Sequence, residues 1–257
     1  MNETSELIVF VHIAKTGGTT LRDILDKQYG PDSLSIYADP SVPNLNSKEK
    51  IINRVLSHIH TAKSISGHFS YGMKYNHIVQ EPLLASINTS RNIAHITMLR
   101  EPVEHILSLY HHYKRNNFFS MHMQTPTVDL ETFIKQKLYY PNYQTLRVSG
   151  ADFPDLDIAK HNIVNHFSIA GITDMYNESL FLMKERFNWK DMKYQKLNQF
   201  VNSDLKKDIS NELVNLIILD NKLDFKLYMF TKQLLKQKIA ALNICKQQEL
   251  REFSPFT

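Results

Sequence analysis

Leu7–Leu25 reads LIVFVHIAKTGGTTLRDIL, and this stretch decides the fold. The apolar, β-branched run Ile8-Val9-Phe10-Val11 has the character of a buried strand. Lys15-Thr16-Gly17-Gly18-Thr19-Thr20 follows, and Leu21, Ile24 and Leu25 then recur at helical spacing. A strand, a glycine turn and a helix start aim several backbone N–H groups and a helix N-terminus at one point. The two glycines let the backbone approach an anion closely. Lys15 brings a full positive charge, and Thr16, Thr19 and Thr20 bring hydroxyl donors. The expected occupant is a phosphate or sulfate group.

The nucleotide-triphosphatase loop, G-x-x-x-x-G-K-[ST], fits badly, because its lysine follows the glycines and Lys15 precedes them. The order K-T-G-G-T-T after a strand resembles instead the 5′-phosphosulfate loop of sulfotransferases that use 3′-phosphoadenosine 5′-phosphosulfate (PAPS). The wording HIAKTGGTTL is most similar to the branch holding heparan and uronosyl sulfotransferases and bacterial relatives.

A second segment, Asn92–Arg115, reads NIAHITMLREPVEHILSLYHHYKR. Ile93, Ile96, Met98 and Leu99 suggest another buried strand, and Pro102 suits the first turn of a helix carried by Val103, Ile106, Leu107 and Tyr110. The family's R-[DE]-P-x-x-R-x-x-S element is similar, and its Arg and Ser hold the 3′-phosphate of the nucleotide. The resemblance places Arg100 and Ser108 in those roles, which suit arginine's planar fork. His105 stands where the family often has arginine, and Glu101 replaces the more frequent aspartate. Ile172–Trp189 and Asn221–Tyr228 resemble later family segments, so the likeness runs from about Leu7 to Phe230.

The 257 residues suit one α/β domain spanning 1–257, and 42% hydrophobic with 22% charged residues is ordinary for a globular chain. A net charge of +4 fits an anionic ligand, and no dense Lys/Arg run points to nucleic acid. The lone Cys245 permits no internal disulfide. The first strand begins too near Met1 for a leader or anchor, and no apolar run reaches the roughly 20 residues of a membrane span. A cytoplasmic enzyme is the expectation. Oligomeric state is left open.

Gly30–Lys48 reads as a loop, Ile51–His60 as a helix, Ala62–His68 as a second short strand and Tyr75–Asn88 as a helix broken near Pro82. Phe118–Thr127 has the composition of a substrate-contacting loop, Ser168–Ile172 is a further strand, and the chain from Met175 onward is mostly helical. Alternating strands and helices predict a central, P-loop-like parallel sheet flanked by helices, with a helix-rich C-terminal part. Ligands then sit beyond the carboxyl ends of the strands, where Lys15, His68 and Arg100 are all expected.

Sulfuryl transfer needs a base for the acceptor hydroxyl and a cation for the leaving phosphate. Lys15 is the expected cation. His68, in Ser66-Gly67-His68-Phe69, is the expected base, at a strand end and with an imidazole that titrates near neutrality. It matches the second histidine of the family's His-Gly-His segment, whose first is Ser66 here. His12 is expected to turn inward onto a backbone partner, His95 to belong to the core, and His111–Tyr113 to lie on an ordinary helix face. A sulfuryl group carries less charge than a phosphoryl group, so no metal is expected.

Asn142–Gly150 resembles a family segment, N-x-Q-T-R-x-x-S-G, near cofactor and acceptor. The resemblance carries Asn142 and Gln144, with Ser149, to substrate binding. Arg147 comes one residue late, about 100° round a helix, and is expected to point elsewhere. The resemblance thus implies a PAPS-dependent sulfotransferase that releases adenosine 3′,5′-bisphosphate and acts on a carbohydrate or small-molecule hydroxyl. An atypical P-loop phosphotransferase and a non-catalytic nucleotide-binding module are the alternatives.

Overall fold

The computed structural model describes residues 6–37, 48–74, 91–116, 128–190, 192–193 and 209–255. Five strands, β1 (Leu7–Val11), β2 (Ser33–Ile36), β3 (Ser64–Gly67), β4 (Ile93–Leu99) and β5 (Phe167–Ile172), form one sheet in the order β2-β3-β1-β4-β5. Every pairing is parallel. β1 lies at the centre, with Val11 level with Gly67 on one side and Thr97 on the other. All five of its residues are buried, as expected for a strand covered on both faces.

Helix α1 (Gly18–Tyr29) follows β1 and packs Leu21, Ile24 and Leu25 into the core. The chain then returns to the sheet through β2, within the stretch expected to be a loop. Serine disguised this strand. Ser33 and Ser35 pair their hydroxyls with Ser64 and Ser66 of β3, at 2.9 and 3.3 Å, while Leu34 and Ile36 turn inward. Helix α2 covers Lys48–His58, slightly earlier than its apolar spacing suggested. The expected helix over Tyr75–Asn88 and the segment Phe118–Thr127 lie outside the described residues.

Helix α3 (Pro102–Arg115) starts where proline predicts, and the Glu101 side chain caps it by accepting from the Glu104 N–H at 2.9 Å. With α4 (Leu130–Lys135) and α8 (Asn211–Asp220) it encloses a second apolar cluster around Leu107, Phe133 and Ile217. The remaining helices are α5 (Tyr143–Ser149), α6 (Leu156–Asn165), α7 (Tyr176–Phe187), α9 (Lys222–Ala240) and α10 (Ile244–Glu252). Helix α9 packs on β5, α5 and α6. Among the described residues no helix is long and apolar enough to cross a membrane.

Asp224 joins the helical layer to the sheet edge. Its buried carboxylate accepts from the Gln144 N–H at 3.1 Å, the Thr145 N–H at 2.7 Å and the Thr145 hydroxyl at 2.6 Å. Burial pushes its pKa up to about 6, against the pull of these three donors. Gln144, held in this way, clamps the Arg100 peptide: its carboxamide oxygen accepts from the Arg100 N–H at 2.8 Å and its amide donates to the Arg100 carbonyl at 2.9 Å. Replacing Asp224 by alanine leaves two buried N–H groups unpartnered, a loss of about 3 kcal/mol. A chain of this size should show this as a Tm lower by roughly 6–12 °C. A melting curve unchanged in Asp224→Ala would refute the role.

Candidate functional site

Between β1 and α1 the backbone is held from outside by its carbonyls. The Thr97 hydroxyl donates to the Val11 carbonyl at 2.8 Å, and His68 Nδ1 lies 2.8 Å from the His12 carbonyl. The Thr16 hydroxyl donates to Ile13, and His105 Nε2 lies 2.9 Å from Ala14 O. Arg100 Nη1 donates to the Lys15 carbonyl at 3.3 Å, and the Tyr176 hydroxyl donates to that of Gly17 at 2.9 Å. A trans peptide points its C=O and N–H in opposite directions. The His12 N–H is spent on the Gly67 carbonyl at 3.0 Å; beyond it, anchoring these carbonyls to the scaffold turns the N–H groups of the turn away from it. Lys15 and Gly17 both take left-handed backbone, with φ of 67° and 79°. Left-handed backbone of this kind builds an anion-binding concavity. In Lys15, which has a Cβ, it costs about 1–2 kcal/mol, a strain typical of functional sites.

The side chains round this turn are cationic. Burial lowers the Lys15 pKa from its ordinary value, and the charges of Arg115 and Arg100 lower it further. Arg100 is partly balanced by Glu104, 3.6 Å from its Nε. Arg147 is only 8% exposed, and among the described residues no carboxylate lies within ion-pair distance of it. The Tyr143 ring stacks 4.7 Å from its guanidinium, the Tyr143 hydroxyl accepts from Nη2 at 2.7 Å and the Ser70 hydroxyl from Nη1 at 3.4 Å, and among the described residues its buried Nε has no hydrogen-bond partner. A buried cation without a counter-charge is costly, and an anionic ligand relieves that cost.

His68 faces this group. A carbonyl oxygen can only accept, so the bond to His12 puts the His68 proton on Nδ1 and leaves the Nε2 lone pair. Burial lowers the His68 pKa, and the charges of Arg147 and Arg22 lower it further, so the ring is neutral at pH 7. The His12 and His68 ring centres are 4.4 Å apart. His12 is buried as expected, but its partner is a side chain: Nδ1 lies 2.7 Å from the Tyr37 hydroxyl. Ser66, which replaces the first histidine of the family segment, bonds to Tyr37 in turn. The second ring beside His68 thus comes from the residue that follows β1.

The structure brings Lys15, His68 and Arg100 to one sheet edge, with Thr19 and Thr20 in the first turn of α1 and Ser108 half-buried on α3. Other expected residues hold the scaffold. The Thr16 hydroxyl is committed to Ile13, so it shapes the turn instead of facing a ligand. Gln144 clamps the Arg100 peptide. Asn142 bonds the Asp220 carbonyl and the Leu223 N–H, which ties α5 to α9 and not to a substrate. Ser149 donates to Leu146. His95 is a core residue, as expected, with burial taking its pKa down to about 4.

Four contributors escaped the sequence reading. Burial holds His105 neutral, with a pKa of about 4, so it donates from Nε2 to Ala14. Burial lowers the His112 pKa, and the charges of Lys15 and Arg115 lower it further, although His111–Tyr113 reads as an ordinary helix face. Tyr37 follows the unforeseen strand β2. Arg147 is buried beside Tyr143 and Ser70, and its charge acts on His68.

A Cβ on Gly18 would overlap the His12 ring, which lies against the start of α1. Gly18→Ala should therefore destabilise by about 1–3 kcal/mol, although alanine is the better helix former. Thermal melts should show the loss, and a His12→Ala background should abolish it. A loss of the same size in both backgrounds would place the strain elsewhere.

No protein-family model matches this chain and no curated protein matches it, which leaves the residues themselves to carry its functional reading.

Proposed function

We propose that the chain is a sulfotransferase that moves a sulfuryl group from PAPS to the hydroxyl of a carbohydrate or small-molecule acceptor. One observation carries this reading. A neutral histidine, its proton fixed on Nδ1 by the His12 carbonyl, stands at the same sheet edge as a cationic, left-handed turn. The likeness of HIAKTGGTTL and of the Arg100–Ser108 element to the family supports it.

Each residue then has a task. His68 Nε2 takes the proton as the acceptor oxygen forms its bond to sulfur. Lys15 meets the negative charge that grows on the bridging oxygen as the bond from sulfur to the phosphate oxygen breaks. Thr19, Thr20 and the N–H groups of the turn hold the 5′-phosphate. Arg100 and Ser108 hold the 3′-phosphate, and Gln144 fixes the peptide from which Arg100 extends. Burial, helped by the charges of Arg147 and Arg22, keeps His68 neutral, the form in which it can accept a proton.

Calorimetry tests the ligand. Adenosine 3′,5′-bisphosphate should bind without magnesium, and Arg100→Ala should weaken it by about 2–3 kcal/mol. The same variant should bind an analogue lacking the 3′-phosphate as the wild type does. Equal losses for both ligands would remove Arg100 from the 3′-phosphate, and a preference for ATP with magnesium would favour a phosphotransferase.

The pH profile tests the base. Because burial and two cations depress the His68 pKa, the rising limb of activity should fall below 6.5, the ordinary histidine value. Labelled PAPS offered to a panel of hydroxyl acceptors supplies the assay. His68→Ala should lose most turnover, at least about a hundredfold, while binding adenosine 3′,5′-bisphosphate within about twofold. A variant that keeps turnover with an unchanged profile would move the base elsewhere.

A further inference from the structure

The His12 ring is held on three sides. It stacks on Phe10 with ring centres 5.1 Å apart, meets His68 at 4.4 Å and takes the edge of Tyr37 at 5.4 Å. Only 6% of the residue is exposed. Its Nδ1 is bound to the Tyr37 hydroxyl at 2.7 Å. Among the described residues its Nε2 has no hydrogen-bond partner, and that atom is not shut off from solvent. The edge that carries Nε2 rests against Gly18, the first residue of α1, where a Cβ would overlap it. Glycine at this place leaves room for an imidazole beside the helix N-terminus.

The partner of Nδ1 sets the tautomer. Burial pushes the Tyr37 pKa up to about 12, so the phenol keeps its proton, and the bond from Ser66 acts the other way, as a donor to the phenol oxygen does. The phenolic proton therefore goes to Nδ1 of His12. His12, kept neutral by burial and by the charges of Arg22 and Lys15, carries its own proton on Nε2. Two adjacent imidazoles thus have opposite polarity: His68 offers a lone pair at Nε2, and His12 offers a proton there.

We propose that His12 donates from Nε2 to an oxygen of the sulfuryl group, between the turn that holds the 5′-phosphate and the base that meets the acceptor. This rests on the reading of the chain as a PAPS-dependent enzyme. The ring touches both neighbours of the group in transit, the start of α1 on one side and His68 on the other. A donor locked by Phe10 and Tyr37 holds that group in line for displacement. A nucleotide that ends at its 5′-phosphate lacks the oxygen to accept this bond.

Calorimetry on the full chain, with no acceptor present, tests this with PAPS and with adenosine 3′,5′-bisphosphate, which lacks the sulfuryl group. His12→Leu should weaken PAPS at least about tenfold, the scale of a lost hydrogen bond to a charged group, and leave the bisphosphate within about twofold. His12→Gln, which keeps a donor close to Nε2, should bind PAPS more tightly than the leucine variant. Nitrogen NMR of wild type with labelled histidine needs no variant to fold, and it should find the His12 proton on Nε2. A His12 proton on Nδ1, a folded His12→Leu that keeps its PAPS affinity, or equal losses for both ligands overturns the assignment and leaves the enzyme reading intact. Folded wild type that binds neither ligand overturns the enzyme reading and this inference together.

Discussion

The architecture depends on the capture of backbone carbonyls between β1 and α1. Left alone, this short turn would have many conformations, and fixing each residue costs about 1–2 kcal/mol of backbone entropy. Partners from β3, β4, the start of α3 and α7 hold it in one. Each donates to a carbonyl oxygen, so each fixes a carbonyl and turns the amides beyond His12 the other way. The strain of a left-handed Lys15 is borne by these bonds, which place its ammonium among the other cations. His105 and Arg100 do double service: both anchor the turn, and Arg100 also carries charge into the cleft.

The electrostatic design separates charge from basicity. Arginine and lysine stay cationic, and they surround histidines that burial and those same cations keep neutral. Two of the neutral rings have their tautomer fixed by a carbonyl. The Ala14 carbonyl puts the proton of His105 on Nε2, and the His12 carbonyl puts that of His68 on Nδ1. That leaves a lone pair on Nδ1 of His105, which is buried, and on Nε2 of His68, which is half-buried. A protonated His68 would be another cation beside Arg147 and Arg22, so their field adds to burial in keeping the ring neutral.

Much of this was legible in the sequence where local pattern and chemistry coincide. A fully apolar β1, paired glycines and Pro102 at a helix start each have one inexpensive local structure, and Lys15, His68 and Arg100 converge because parallel strands end on one edge. The unread parts are those decided by distant partners. Ser33–Ile36 is polar at alternate positions and becomes a strand only because Ser64 and Ser66 satisfy its hydroxyls. Asn142 and Gln144 have amides that suit a ligand equally well, and only the packing of α9 shows that backbone groups claim them. Arg147 is displaced by one residue from the familiar spacing, and its burial beside Tyr143 and Ser70 is invisible in one dimension.

The anchors of the turn span the chain. Only Thr16 acts on its own neighbourhood, three residues away; the others lie 56, 85, 86, 91 and 159 residues from the carbonyls they hold. Contacts of such separation form late, because loop-closure entropy must be met before they stabilise anything. The residues that read most clearly as a ligand site are thus among the last to acquire their shape. A chain still emerging from synthesis holds β1 and its glycines long before Tyr176 is available to close them. The shape of this turn is therefore a report on completed folding, and the peptide that carries its signature would not hold that shape in isolation.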